Sequence, residues 1–208
     1  MIDGMIDIDG IMGMAPVIPV LVVDDVAHAR PLAEALVAGG LPVLEVTLRT
    51  PAALEVIAEM AKVPGAIVGA GTVLSGGDIA GALSAGAQFI VSPGITAALG
   101  SAARTTGVPF LPGVSSASDI LRAQEMGFSR LKFFPAVAAG GLPVLRAFAA
   151  VFGNVRFCPT GGITQASAPE WLALPAVACV GGSWIAGRGE TDWAAIEARA
   201  RAARGLAR

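Results

Sequence analysis

Residues 43–62 read VLEVTLRTPAALEVIAEMAK, a short β-branched apolar run followed at once by a helical pattern. Thr50 is a capping type of residue and Pro51 suits the first turn of a helix, so the segment predicts a strand, a tight turn and a helix. Apolar residues occur on both faces of this predicted strand, which is typical of a strand covered on both faces, as in a parallel sheet.

The same strand-and-helix unit recurs along the chain. Apolar runs begin near Val17, Val43, Ala66, Gln88, Pro109, Arg130, Val155 and Val177. Consecutive starts lie 21 to 26 residues apart, which leaves room for a strand, a helix and two turns. Eight alternating units in 208 residues predict an α/β protein, a single (β/α)8 TIM barrel near the small end of that fold, with one domain over residues 1–208. An open doubly wound sheet is the alternative.

The start of the chain does not follow this pattern. Residues 1–15 carry four of the six Met and three Asp without a clear period. We expect a loose N-terminal arm there, with a cap beneath the barrel as the alternative, and we assign it no function.

Composition excludes several classes of protein. A net charge of −2 lacks the basic excess of a nucleic-acid binder. The longest charge-free run, residues 79–103, is interrupted by Gly, Pro and polar residues, so no membrane partner is expected. No Lys or Arg precedes Arg30, which predicts a cytoplasmic protein. One His and two Cys cannot supply a four-ligand zinc site from nitrogen and sulfur alone.

One acidic residue falls on an unexpected face of a predicted strand. Val43, Glu45 and Thr47 share one face by alternation, while Leu44 and Val46 suit the helix-facing side. Glu45 would then point into the barrel, where an ionised carboxylate is costly unless it is paired or functional. The alternative is a structural ion pair inside the barrel.

The chain has only two lysines, Lys62 and Lys132. In RLKFFP, residues 130–135, alternation turns Lys132 inward while Leu131 and Phe133 face the helices. Burial disfavours the charged form of an amine and leaves more of it able to attack a carbonyl, which is Schiff-base chemistry. Lys62 ends a surface helix and should stay solvated. The alternative for Lys132 is an ion pair of purely structural value.

Glycine-rich turns follow the last two predicted strands. TGGI at 160–163 and GGS at 181–183 stand where such barrels usually bind phosphate, although tight turns also use glycine for shape alone. Arg49, at the mouth of the strand that carries Glu45, suits a substrate carboxylate or phosphate, or is simply solvated. His28 and the two cysteines, Cys158 and Cys179, have no motif partners; we expect His28 to be a packing or a surface residue and the cysteines to be small buried residues.

Six motifs together carry a resemblance to a known family. They are EVTLRT (45–50), VGAGTVL (68–74), AGAQFIVSPG (85–94), KFFPA (132–136), RFCPTGGI (156–163) and CVGGSW (179–184). In order and spacing they resemble the class I aldolases of 2-keto-3-deoxy-6-phosphogluconate (KDPG) and 4-hydroxy-2-oxoglutarate (KHG). The resemblance implies a homotrimer of TIM barrels in the Entner-Doudoroff pathway. Such an enzyme cleaves the phosphorylated keto sugar acid to pyruvate and glyceraldehyde 3-phosphate and needs no metal or other cofactor.

The resemblance also implies a role for each matching residue. Lys132 matches the Schiff-base lysine and Glu45 the proton-transfer residue. The implied substrate-binding residues are Arg49 and Thr72 for the pyruvate carboxylate, Pro93 and Phe134 as pocket walls with Thr160 beside them, and Gly161, Gly162 and Ser183 for the phosphate. After FPA, where family members often have an acidic residue, this chain has Val137, which bears only on substrate preference.

Two other functions remain open at the level of the sequence. A phosphate-binding isomerase or synthase on the same barrel would use the two glycine turns but not a covalent lysine. A non-catalytic sugar-phosphate binding protein would bind ligand without releasing pyruvate. An inward amine paired with a carboxylate argues against the second, because binding alone does not need a buried amine.

Overall fold

The computed structural model describes residues 6–207. Its strands are β1 (Val17–Leu21), β2 (Val43–Thr47), β3 (Ile67–Gly71), β4 (Phe89–Val91), β5 (Phe110–Leu111), β6 (Gly113–Val114), β7 (Arg130–Phe133), β8 (Arg156–Pro159) and β9 (Val180–Gly182). Its helices are α1 (Ile8–Gly13), α2 (Ala29–Ala38), α3 (Ala53–Met60), α4 (Gly76–Ser84), α5 (Ala97–Thr106), α6 (Ala117–Glu125), α7 (Gly141–Val151), α8 (Ala168–Leu172) and α9 (Trp193–Arg204), with a 3-10 turn at Val26–His28.

The strands form a curled parallel sheet flanked by helices. Six of them run in the order β5-β4-β3-β2-β1-β9, and three more in the order β6-β7-β8. Pro112 alone separates β5 from β6. Two isolated parallel bridges, Phe157 with Val177 and Thr160 with Gly181, join the second group to the segment around β9. The fold is therefore α/β, and its last strand lies beside its first.

The predicted strand starts agree closely with the observed ones. Seven of the eight lie within one residue of a strand start, and the predicted fifth strand is divided into β5 and β6 at Pro112. The start predicted at Val177 is three residues early, because Val177 makes only an isolated bridge before β9 begins at Val180.

Side chains alternate between two buried clusters. Leu44 and Val46 belong to the large cluster between the strands and the helices, whereas Val43 belongs to a smaller one. The smaller cluster draws its residues from strands of both sheets, including Phe89 of β4 and Cys158 of β8. It forms the apolar interior beneath the polar residues described below.

The N-terminal segment differs from the loose arm expected for residues 1–15. Residues 1–5 lie outside the described part of the chain, but α1 is an ordered helix capped by Asp7, whose side chain accepts from the Gly10 N–H. Ile11 and Met12 are each 1% exposed and pack into the smaller cluster. The helix thus covers the apolar interior, because two large side chains gain more from burial there than from solvent.

One helix start also differs from the sequence prediction. Thr50 does not cap α3, which begins at Ala53 with no side-chain cap. The Thr50 hydroxyl donates instead to the Val23 carbonyl at 2.7 Å, in the segment that follows β1. No helix within residues 6–207 has the length and apolar character that crossing a membrane requires.

Candidate active site

The side chains of Lys132 and Glu45 contact each other on the buried face of the strands that points away from the helices. Lys132 Nζ donates to Glu45 Oε1 at 2.9 Å, across 87 residues of sequence, and the two side chains are only 6% and 4% exposed. Neighbouring residues on the same strands, Leu131 and Phe133 on β7 and Leu44 on β2, face the helices as strand alternation predicts. The Phe134 ring centroid lies 5.4 Å from Nζ, within the range of a cation–π contact.

Gly71 makes room for this carboxylate. It ends β3, paired in register with Thr47 of β2. A Cβ atom at position 71 would collide with the Glu45 side chain, including Oε1. A glycine at this point therefore lets Glu45 turn towards Lys132 without displacing the adjacent strand.

A small pocket of about 70 Å³ surrounds the pair. It brings together seven of the residues that the sequence nominated for the site. Its lining consists of Val20, Glu45, Thr47, Arg49, Thr72, Pro93, Lys132, Phe134 and Thr160. Of the described part of the chain, Glu45 is the only carboxylate in this lining, so it alone there can exchange protons with the amine as a carboxyl group. The larger cavity next to it, about 300 Å³, shares Pro93.

Thr47 is the pocket residue that the sequence placed on the inner face but did not nominate. It is 2% exposed, and its hydroxyl donates to the Leu21 carbonyl at 2.8 Å. The same oxygen accepts from Arg49 Nε at 3.2 Å. Arg49 makes no ion pair with any described residue. Its terminal nitrogens are thus available for a ligand anion at the pocket.

Thr72 occupies a strained backbone position. Its φ of 59° makes it the only non-glycine residue with positive φ in the described chain. A β-branched residue in the left-handed region typically costs about 1–3 kcal/mol and persists where the surroundings hold it. Thr72 follows β3 directly and lines the pocket, so the strain coincides with the site.

The predicted phosphate residues lie just outside this pocket. Gly161 and Gly162 follow β8, and Ser183 follows β9; the bridge between Thr160 and Gly181 brings the two strand ends side by side. Both glycines have positive φ, 103° and 80°. We call Gly161, Gly162 and Ser183 together the glycine turns. Their proximity to Thr160 places them at the rim of the Lys132 pocket.

Val137 packs against these turns. Its N–H donates to the Gly161 carbonyl at 3.1 Å, and a Cβ built on Gly162 would lie 2.8 Å from the Val137 Cβ. The Val137 side chain is 51% exposed. The residue that departs from the family pattern therefore stands beside the predicted phosphate site.

The remaining polar candidates do not line the pocket, although Cys158 Sγ lies 3.9 Å from Oγ1 of Thr160, which does. Lys62 is a surface residue that pairs with Glu59 at 2.5 Å. His28 contacts the edge of Trp193, with ring centroids 5.7 Å apart, and both cysteines are buried. Across residues 6–207, no group of three or more His, Cys, Asp or Glu side chains could hold a metal ion.

Comparisons with known proteins find relatives along nearly the whole chain. The family profile described as "Aldolase: KDPG and KHG aldolase" matches residues 8–199. A 2-dehydro-3-deoxy-phosphogluconate aldolase of Zymomonas mobilis is 56% identical over 199 residues, covering 96% of each chain. The crystal structure of the Zymomonas mobilis ZM4 KDPG aldolase with 3-phosphoglycerate has a TM-score of 0.96 at 55% identity, over 99% of this chain and 98% of that one.

A second solved structure is also similar over nearly the whole chain. The KDPG aldolase of Legionella pneumophila, with pyruvate captured at low pH as a covalent carbinolamine intermediate, has a TM-score of 0.93 at 44% identity. The alignment covers 96% of this chain and 99% of that one. Since the profile spans nearly the whole chain and the relatives match end to end, this protein belongs to the KDPG and KHG aldolase family of lyases.

Proposed function

We propose that this protein is a class I aldolase that cleaves KDPG to pyruvate and glyceraldehyde 3-phosphate through a Schiff base on Lys132. The observation that carries the proposal is the buried hydrogen bond of 2.9 Å between Lys132 Nζ and Glu45 Oε1. A purely structural pair would not need a pocket, and this one opens into a cavity lined by Arg49, Thr72 and Thr160. The carbinolamine in the Legionella relative supports the same chemistry.

The first half of the reaction forms the imine. Glu45 Oε1 lies 2.9 Å from Lys132 Nζ and is placed to accept a proton from it, which leaves the neutral amine that attack on a carbonyl requires. Lys132 Nζ then attacks the C2 ketone carbon; the Glu45 carboxylic acid gives its proton to the ketone oxygen and takes one from the nitrogen, which leaves a neutral carbinolamine. Glu45 protonates the departing hydroxyl, water leaves, and a protonated imine remains.

The second half breaks the carbon–carbon bond. The Glu45 carboxylate removes the proton of the C4 hydroxyl, the C3–C4 bond breaks, and its electron pair flows into the imine to form an enamine. Glyceraldehyde 3-phosphate is the aldehyde product. Protonation of the enamine at C3 and hydrolysis of the imine release pyruvate and regenerate Lys132. The protonated imine is the electron sink, so the proposal needs no metal or cofactor.

The two ends of the substrate meet different groups. Arg49 and Thr72 bind the carboxylate next to C2, with Pro93 and Phe134 as the apolar walls. The glycine turns bind the phosphate, since backbone N–H groups of residues with positive φ can converge on an anion. The 3-phosphoglycerate in the Zymomonas structure supports a site for a phosphorylated three-carbon acid. We further propose activity on KHG, which would use the first site alone.

The proposed enzyme is one TIM-barrel domain over residues 1–208. The parallel bridges between the β8 and β9 segments, and the chain continuity across Pro112 from β5 to β6, support closure of the two sheets into one (β/α)8 barrel. A homotrimer is proposed from the family resemblance alone, and a cytoplasmic location stays a prediction from the sequence.

Pyruvate release tests the proposed activity. KDPG and KHG should be supplied in parallel to the purified protein, with pyruvate consumed by lactate dehydrogenase, in the presence and absence of a chelator. We expect release from KDPG that the chelator does not change. Phosphorylated substrate that is bound but never cleaved would contradict the proposal, and so would activity abolished by the chelator.

A further inference from the structure

The position of Arg49 is held by a buried residue with no assigned part in the reaction. Arg49 itself is exposed at the mouth of the pocket, beyond the end of β2. An exposed arginine samples many rotamers and loses that freedom when it binds an anion. A neighbour that fixes the guanidinium in advance would lower this loss and strengthen binding.

Thr47 has the geometry for this task. Its hydroxyl hydrogen is directed to the Leu21 carbonyl, 2.8 Å away on the adjacent strand β1. The lone pairs of Oγ1 are thereby left for Arg49 Nε, 3.2 Å away. A main-chain hydrogen bond also joins the two residues, because the Arg49 N–H donates to the Thr47 carbonyl at 2.8 Å. Thr47 is 2% exposed, so water does not compete freely for its hydroxyl.

We propose that Thr47 is a positioning residue that sets how Arg49 presents its guanidinium to the substrate carboxylate. With Nε–H occupied by Thr47, the carboxylate is received by the two terminal nitrogens, Nη1 and Nη2, in a bidentate pair. The inference rests on the proposed function, because it takes the ligand of Arg49 to be the carboxylate next to the C2 ketone. It adds a residue that acts through Arg49 without touching the substrate carboxylate.

The chain contains a matched control. Thr50 also donates its hydroxyl to a main-chain carbonyl in the β1 region, that of Val23 at 2.7 Å, but it makes no bond to Arg49. Thr47→Val and Thr50→Val therefore each remove one hydroxyl-to-carbonyl hydrogen bond at nearly constant volume. Only the first also removes the acceptor for Nε. Thr47→Ser keeps the acceptor and tests whether the hydroxyl alone restores function.

The test measures KM and kcat for KDPG, and separately the pyruvate concentration that half-saturates borohydride trapping. For Thr47→Val we expect KM and the half-saturating pyruvate concentration to rise about tenfold, as for a weakened charged hydrogen bond, with kcat changed less than about threefold. Thr47→Ser should restore both values to within about threefold of wild type. Thr50→Val should match wild type.

Two outcomes would overturn the inference. One is a Thr47→Val enzyme whose KM and trapping curve stay within about twofold of wild type. The other is an equal rise in Thr50→Val, which would indicate a general effect of losing a strand contact. Failure of the proposed function looks different, because wild-type protein itself would then show neither pyruvate release nor trapping.

Discussion

Replacing Glu45 by glutamine removes the proposed proton carrier while keeping its shape. The amide oxygen can still accept a hydrogen bond from Lys132, but it cannot take up and return a proton. Among residues 6–207, Glu45 is the only carboxylate lining the pocket, so no other carboxyl group of those residues replaces it. General acid–base catalysis contributes about 10² to 10⁴ in rate. We therefore expect kcat to fall by that factor, equivalent to about 3–5 kcal/mol in the barrier.

The assay is steady-state pyruvate release from KDPG, with the rate of borohydride trapping by pyruvate as a second readout. Both should fall in Glu45→Gln, because carbinolamine formation and dehydration use the same carboxyl group. Glu190→Gln is the matched control: Glu190 also pairs with a cation, Arg199, but lies outside the pocket. A Glu45→Gln enzyme that keeps more than about a tenth of the wild-type kcat would refute the assigned role.

Three further predictions concern Gly71, Ser183 and Glu190. Gly71→Ala should lower kcat for KDPG at least about tenfold, since its methyl group displaces Glu45; unchanged kinetics would mean that the carboxylate need not sit there. Ser183→Asp places a negative charge at the proposed phosphate site, so kcat/KM should fall several-fold for KDPG but not for KHG, and an equal fall for both would argue against a phosphate there. The hydrogen bond from Arg199 holds the pKa of Glu190 below its ordinary value of 4.5. Because the folded-state pKa is the lower one, this pair stabilises the fold fully above about pH 4.5 and loses its effect as the pH falls through the folded-state value. Urea unfolding of Glu190→Gln should show about 1 kcal/mol less stability at pH 7 and a smaller difference at pH 3; a loss independent of pH would contradict the assignment.

Much of the fold follows from local patterns that the sequence shows directly. Side chains alternate between the two faces of a strand, and this alternation places Glu45 and Lys132 on the inner faces of β2 and β7. Both residues are buried in the structure. Their contact, in contrast, depends on the curl of a sheet that brings together residues 87 positions apart. Local patterns do not determine that distance, although the family resemblance implies the pairing of roles.

Other features depend on tertiary contacts that no local pattern encodes. The sequence around Thr50 is typical of a helix cap, but the Thr50 hydroxyl donates to the Val23 carbonyl, in the segment that follows β1, and does not cap α3. The α1 helix is too short for a clear period, and it is ordered by the burial of Ile11 and Met12 against several strands. Thr47 gains its significance from the Leu21 carbonyl, whose place is set by the register of β1 with β2.

Covalent trapping tests the central claim, the Schiff base on Lys132, most directly. The protein would be incubated with pyruvate and borohydride, and the adduct located by intact mass and peptide mapping. We predict one irreversible adduct per chain, equal in mass to pyruvate less one oxygen atom, on Lys132 and not on the exposed Lys62. It should be absent without pyruvate and absent in Lys132→Met. An unmodified wild-type protein, or an adduct on Lys62 instead, would contradict the account.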